Sequence, residues 1–351
     1  MEKMVVQDMD DSEVKKSRLH YVDVAKGLLI VMVVFGHFWQ HIEPLDADVA
    51  FVLRQANHSF IAFYMPAFFF ITGYCSNFSR PVLATICHSF RMIMIPAFVF
   101  SVLSFLVSHH FDAQSIHAFL NDLLLYGGSF WFLTALFVAR ILYGTLSVFF
   151  NEKMLLIVCA FSFAVGFLLS DIPHEYEIWW FDHALLLMPF MAIGQIIRKQ
   201  SFPFSKPFTC FVAYVIVLAA TILLAHKGVV NVSGAYYIPI ITQKLFNLNA
   251  SMIPSLLLLT IAGILTVLSV SKSINSNCFL EYLGRNSLVI YCSHIIVLAF
   301  VCHNLGGALL RHNVMPIFAI AFVCFVITIF VCCCIAYLFN TRYLKFLIGK
   351  F

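Results

Sequence analysis

Four ionisable side chains stand in one apolar run, "DVAKGLLIVMVVFGHFWQH" (residues 23–41): Asp23 and Lys26 near its start, His37 and His41 near its end. A lysine offers a positive charge to an anion. A histidine, with an unperturbed pKa of about 6.5, can take and return a proton near neutrality. On a helix Lys26 and His37 are about three turns apart and almost in line, separated by roughly 16 Å at about 1.5 Å per residue. Asp23 lies one turn before the lysine and His41 one turn beyond the histidine. A charge facing lipid at the bilayer centre costs roughly 2.5–3.5 kcal/mol even on insertion scales, so this line belongs against the protein interior or a water-filled cavity. Singly, each residue has a plainer reading. Lys26 can snorkel to the headgroups. Asp23 can pair with it or match the helix dipole. His37 can be an ordinary hydrogen-bonded interior histidine, and His41 an interfacial one. The joint spacing carries more than any of them: an anion-gripping charge and a proton acceptor on one face.

The elements that must position these groups are membrane helices. Of 351 residues, 62% are hydrophobic and only 11% charged, with a mean hydropathy of +0.94. Soluble domains carry about 25% charged residues. The chain therefore reads as an all-α integral membrane protein. Ten windows fit transmembrane helices, near 22–41, 58–76, 88–108, 129–150, 153–170, 183–198, 208–226, 252–271, 286–304 and 315–339. With ten spans and both termini cytoplasmic, only Arg54, Lys227, Lys244 and Arg311 of the 21 basic residues fall outside, as basic loops require. The expected organisation is a polar cytoplasmic tail at 1–17, one membrane domain at 18–341 and a short basic cytoplasmic tail at 342–351. The first of these reads as a solvated tail rather than a signal sequence.

A net charge of +4 gives no reason to expect nucleic acid as a partner. The eleven cysteines show no Cys-x-x-Cys pair and no metal-ligand spacing, so they read as small apolar filler and no metal is expected. The outer loops have their own character. Residues 42–57 carry Glu43, Asp46 and Asp48, and "DIPHEYEIWWFD" (171–182) sets four carboxylates around a tryptophan pair. Aromatic faces and carboxylates suit a sugar; the plainer reading is an interfacial aromatic belt.

"RLHYVDVAKGLLIVMVVFGH" resembles the opening of the family-three membrane acyltransferases, whose first span carries Arg or Lys, ten residues, then His; Lys26 and His37 match. "FYMPAFFFITGY" (63–74), with Thr72 where serine is usual, "FWFLTALF" (130–137) and "YLGRNSLVIYCSH" (282–294) resemble further stretches of that family, in order along the chain. The resemblance implies transfer of an acetyl group from cytoplasmic acetyl-CoA, a substrate rather than a bound cofactor, to a hydroxyl of an extracytoplasmic polysaccharide or lipid-linked glycan. A bacterial inner membrane is the implied location. His37 would be the general base, an acyl-histidine being an allowed variant. Lys26 and Arg91 would face the donor phosphates. The family often sets two arginines three residues apart where this chain reads His88-Ser-Phe-Arg91, so His88 or Lys26 would supply the second contact.

Trp131 would pack the donor. The oxyanion would be met by Trp131, Thr72 or Asn286. Asn286 and Ser287 equally suit a helix cap, and His294 reads as an interior or a catalytic histidine. Two rivals stand beside this. His41-x4-Asp46 has the spacing of another acyltransferase class but none of its companion motifs. A transporter or flippase would also line an intramembrane path with charge; it differs in consuming no acyl group. A scaffold would need no Lys26–His37 line.

Overall fold

The computed structural model describes residues 19–350 apart from 77, 79–80, 109–112, 129, 170–177, 201–205 and 225–252. The tail at 1–17 and most of the acidic loop 171–182 lie outside these residues. The first helices are α1 (His20–Ile42), α2 (Ala47–His58), α3 (Tyr64–Cys75) and α4 (Val82–Val107), the last with a π-helical turn at Phe90–Met94. After the short α5 (Ala113–Asn121) come α6 (Trp131–Phe149), α7 (Glu152–Leu169), α8 (Phe181–Gln200) and α9 (Pro207–Leu224). The chain closes with α10 (Ile253–Ile274), α11 (Cys278–Arg285), α12 (Ser287–Arg311) and α13 (Ile317–Phe339).

Every described element is helical, and seven helices among the described residues are long and apolar enough to cross a bilayer. The remaining expected windows behave differently. At 58–76 the chain turns through residues 59–63 and only then forms α3, whose 12 residues span about 18 Å against a hydrocarbon layer of roughly 30 Å. Pro66 falls in the first turn of α3, where its missing N–H has no intrahelical partner to lose. At 183–198 a 20-residue helix does form, with Asp182 in its first turn and Pro189 inside it. The expected loop 42–57 is largely α2, begun by the Asp46 carboxylate accepting from Val49 N–H at 2.9 Å.

The core is organised around α1. Its most apolar stretch is 61% buried, against 22% for α7 and 28% for α13. In α13 the exposed Phe318, Phe322, Val326 and Phe330 recur every fourth residue and form one apolar stripe on the outside of the bundle. Such a stripe is costly in water and favourable against lipid, so the molecule is a multi-pass membrane protein with α1 held away from the acyl chains.

Two glycine crossings set the closest contacts. A Cβ at Gly284 of α11 would run into Asp23 O of α1, and one at Gly27 of α1 would run into Leu280 O of α11. Gly73 of α3 and Gly194 of α8 stand against Met191 O and Phe70 O in the same way. Small residues let helix backbones approach where lipid provides no hydrophobic drive between them.

The first crossing also fixes the entrance to α1. Asn277 caps α11 by accepting from Leu280 N–H at 2.9 Å. Glu281 then accepts from the Ser276 hydroxyl at 2.6 Å, meets His20 Nδ1 at 3.0 Å, and lies 3.5 Å from Arg285. The Ser276 hydroxyl, followed by His20, holds the Glu281 carboxyl below its ordinary range.

Candidate active site

Because α1 is one unbroken helix from His20 to Ile42, the Lys26–His37 spacing is realised along a single rod. Its two ends lie in different surroundings. Beside Lys26 opens a cleft of about 250 Å³. Asp23 and Lys26 of α1, Thr72 of α3, Arg285 of α11, and Ser287 and Tyr291 of α12 provide its polar lining; Phe68 and Phe132 stand among its apolar walls. Lys26 is half-buried, and Asp23 is buried beneath it at the Gly284 crossing. The cleft thus holds two cations, Lys26 and Arg285, and one carboxylate, Asp23, over a hydroxyl-bearing, aromatic-walled floor, with Arg285 also 3.5 Å from Glu281. That donor set fits an anionic ligand with an apolar arm.

Tyr291 links this cleft to the deeper groups. Its ring lies 5.3 Å from Phe132 and 5.7 Å from His294. The His294 ring in turn lies 5.2 Å from His37. His294 is 1% exposed, and its Nδ1 meets the Tyr291 carbonyl at 2.6 Å. A carbonyl only accepts, so Nδ1 carries the proton in that contact. Among the described residues Nε2 of His294 has no partner. His37 makes a long contact, 3.5 Å, from Nδ1 to Gln40 Oε1. Next to it Gly36 leaves room for the Tyr64 hydroxyl, and its carbonyl accepts from Asn57 Nδ2 at 3.4 Å.

The other expected residues are distributed more widely. Arg91 sits on the π-helical turn of α4, where its Nε donates to Gly349 O at 3.1 Å. It is exposed, as is His88, and neither lines the Lys26 cleft. The segment Lys345–Ile348 folds back as a short 3₁₀ turn with Ile348 buried, so Arg91 ties this end of the chain to α4. Asn286 donates to Tyr282 O at 2.8 Å and accepts from Asn340 Nδ2 at 2.8 Å, and Asn340 Oδ1 accepts from Lys350 Nζ at 2.6 Å. Its side chain makes no cap to the helix it precedes.

Trp131 opens α6 and lies outside the cleft lining. It lies 6.1 Å from Trp180 and 5.3 Å from His183, whose Nδ1 meets Asp182 Oδ1 at 2.7 Å in a buried pair. His41 lines a separate cavity of about 470 Å³ with His303, Asn304 and the apolar Val107, Ile296 and Phe300. Among the described residues no group of three His, Cys, Asp or Glu could hold a metal ion.

Three site residues escaped the sequence reading. Arg285 stood inside a quoted motif, "YLGRNS", and was counted only as a basic residue near a span end. Tyr291 stood in the same quoted stretch, "YLGRNSLVIYCSH", without being given a role, and Gln40 carried no signal, since an amide at a helical position is ordinary packing.

Compared with known families, residues 19–338 match the model of the acyltransferase domain. One curated relative, nodulation protein NolL of Mesorhizobium japonicum, is 30% identical over 151 residues, covering 41% of this chain and 40% of that protein. The match therefore spans about two-fifths of the relative's length. No solved structure matches.

Proposed function

The chain belongs to the acyltransferase-domain family and is an acyltransferase of the membrane; from that premise we propose that it moves an acetyl group from cytoplasmic acetyl-CoA to a hydroxyl of an extracytoplasmic polysaccharide or lipid-linked glycan. One observation carries the proposal: α1 holds a cation in an open, cation-paired cleft at Lys26 and, roughly 16 Å farther along one rod, the half-buried His37, whose ring lies 5.2 Å from the buried His294.

In this reading ten spans place both termini and the Lys26 cleft on the cytoplasmic side of a bacterial inner membrane. The charges of Lys26 and Arg285 face the donor's phosphates, and the Phe68 and Phe132 walls take the pantetheine arm. The thioester then lies beside the histidines. His37 removes the proton from the acceptor hydroxyl as its oxygen attacks the carbonyl carbon. A C–O bond forms, the C–S bond breaks, and the departing thiolate takes the proton from His37. The Tyr291 and Thr72 hydroxyls, which line the cleft, would serve the oxyanion.

The test is mass spectrometry of surface glycans from three strains: intact gene, deletion, and His37→Ala at matched expression. An acetyl increment only with the intact gene establishes the reaction and the acceptor together. An increment that survives His37→Ala removes His37 as base. No difference among the strains overturns the glycan acceptor.

A further inference from the structure

The acyl-transfer reading assigns the cleft on one side of His37 and leaves the other side unused. There, away from Lys26, α1 and α12 border the second cavity, of about 470 Å³. The order of residues along each helix places it. On α1, His41 follows His37 by one turn, about 6 Å at roughly 1.5 Å per residue. On α12, Ser287 lines the Lys26 cleft, His294 stands beside His37, and Ala299, Phe300, His303 and Asn304 line the cavity. Both helices run from cleft to histidine to cavity, so a ligand seated there lies across His37 from the donor.

The lining has a chemistry of its own. Among the described residues no Lys, Arg, Asp or Glu lines it; the polar groups are the imidazoles of His41 and His303 and the amide of Asn304. Asn304 Nδ2 donates to Phe300 O at 2.9 Å, which holds the amide and leaves its oxygen to accept. Neutral imidazoles and amides both donate and accept, as hydroxyls do. His303 and Asn304 ride on a π-helical turn, Val301–Gly306, a local form frequent at functional sites. The turn packs closely: a Cβ at Gly306 would stand 2.9 Å from Leu45 Cδ1 of the cavity wall. Two apolar wall residues, Val107 of α4 and Phe300 of α12, are 68% and 69% exposed on the outside of the bundle. Their helices pack side by side and are long and apolar enough to cross the bilayer, so lipid-facing side chains edge the mouth.

We propose that this cavity is the acceptor site and takes a lipid-linked, uncharged sugar. The sugar hydroxyls bond to His41, His303 and Asn304, and the lipid chain leaves past Val107 and Phe300 between α4 and α12. The inference rests on the acyl-transfer reading and narrows its acceptor to the lipid-linked glycan. A water-soluble polymer gains nothing from an apolar mouth, whereas a lipid tail keeps its burial by staying in the bilayer.

Proteoliposomes of the purified protein, supplied with radiolabelled acetyl-CoA, receive graded amounts of the deletion strain's total lipid extract. Parallel samples receive that strain's lipid-free, water-soluble polysaccharide. The label is expected in the lipid extract. Ala299→Phe, which adds bulk at the cavity wall, should raise the half-saturating amount of extract about tenfold or more. His303→Ala, which removes one hydrogen-bonding group, should raise it about two- to tenfold. Both should leave the donor KM unchanged. His303 is exposed, so its variant tests the site even where detergent size-exclusion shows that Ala299→Phe fails to fold. Unchanged half-saturation in a folded variant, or labelling of the polysaccharide as fast as the extract, overturns the proposal and leaves acetyl transfer standing. A wild type that labels neither fraction sinks the acyl-transfer reading and this proposal with it.

Discussion

The two ends of α1 treat polar groups in opposite ways. At Lys26 the charge lies half-buried in a cleft with a second cation, Arg285, and several hydroxyls. At His37, also half-buried, the ring of the enclosed His294 lies alongside, with a long contact from His37 to Gln40 and, among the described residues, one His294 nitrogen left open. The first environment suits a charged ligand that arrives with its own hydration and binds through long-range attraction. The second suits a proton transfer, which gains from water exclusion and loses from misplacement. Tyr291 joins them, with a ring in the cleft and a carbonyl on His294. What differs along one helix is the company each end keeps: cations and hydroxyls around a cleft at Lys26, a second imidazole at His37.

The largest expected effect breaks the histidine end. His37→Ala should lower the maximal transfer rate by about a hundred- to ten-thousandfold with the donor KM changed only a few-fold, as for loss of a general base. Initial-rate measurements over a range of acetyl-CoA concentrations check both numbers. An increase in KM equal to the loss in rate would show that the histidine end also binds the donor, and would erase the contrast.

Next in size is the open end. Lys26→Gln should raise the donor KM about ten- to a hundredfold, since a charged hydrogen bond is worth about 1.5–3 kcal/mol, with little change in maximal rate. Added salt should weaken donor binding in the wild type more than in the variant. Arg285→Gln should act in the same direction, which distinguishes a paired-cation cleft from a single lysine that merely reaches the headgroups.

Gly284→Ala tests the crossing that sets both ends in register. The new Cβ meets Asp23 O, and helix backbones cannot yield as a flexible side chain can. A destabilisation of about 1–3 kcal/mol is expected, read as a lower melting temperature in detergent. An unchanged melt would mean that α11 slides freely along α1.

The smallest effect is expected at Arg91. Arg91→Gln removes an exposed guanidinium bond to Gly349 O, worth about 0.5–1.5 kcal/mol at most. Its donor KM should rise by much less than that of Lys26→Gln. An equal rise would place Arg91 in the donor site and move the phosphates toward α4.

The line from Lys26 to His37 was legible because it needs only local geometry: both residues lie in one apolar stretch that forms a continuous helix. The span at 315–339, which forms α13, was equally local, a matter of composition over one run. The short α3 was not, because an apolar run such as "FIAFYMPAFFFITGY" gives the same hydropathy whether residues 59–63 continue the helix or turn. Basic residues near span ends were ambiguous for the same reason. Arg91 and Arg285 look alike in sequence, and only packing sends one to the end of the chain and the other into the cleft.

The sequence by itself determined the membrane class, the helical content and the face shared by Lys26 and His37, since apolar length and the 3.6-residue period are properties of neighbouring residues. The tertiary structure alone decided that His294 stands beside His37, that Arg285 joins Lys26, and that Gly27 and Gly284 form one crossing. Those pairs join segments hundreds of residues apart. No periodicity within either segment encodes its partner; only close packing of complementary shapes, with each backbone carbonyl finding the glycine that admits it, brings them together.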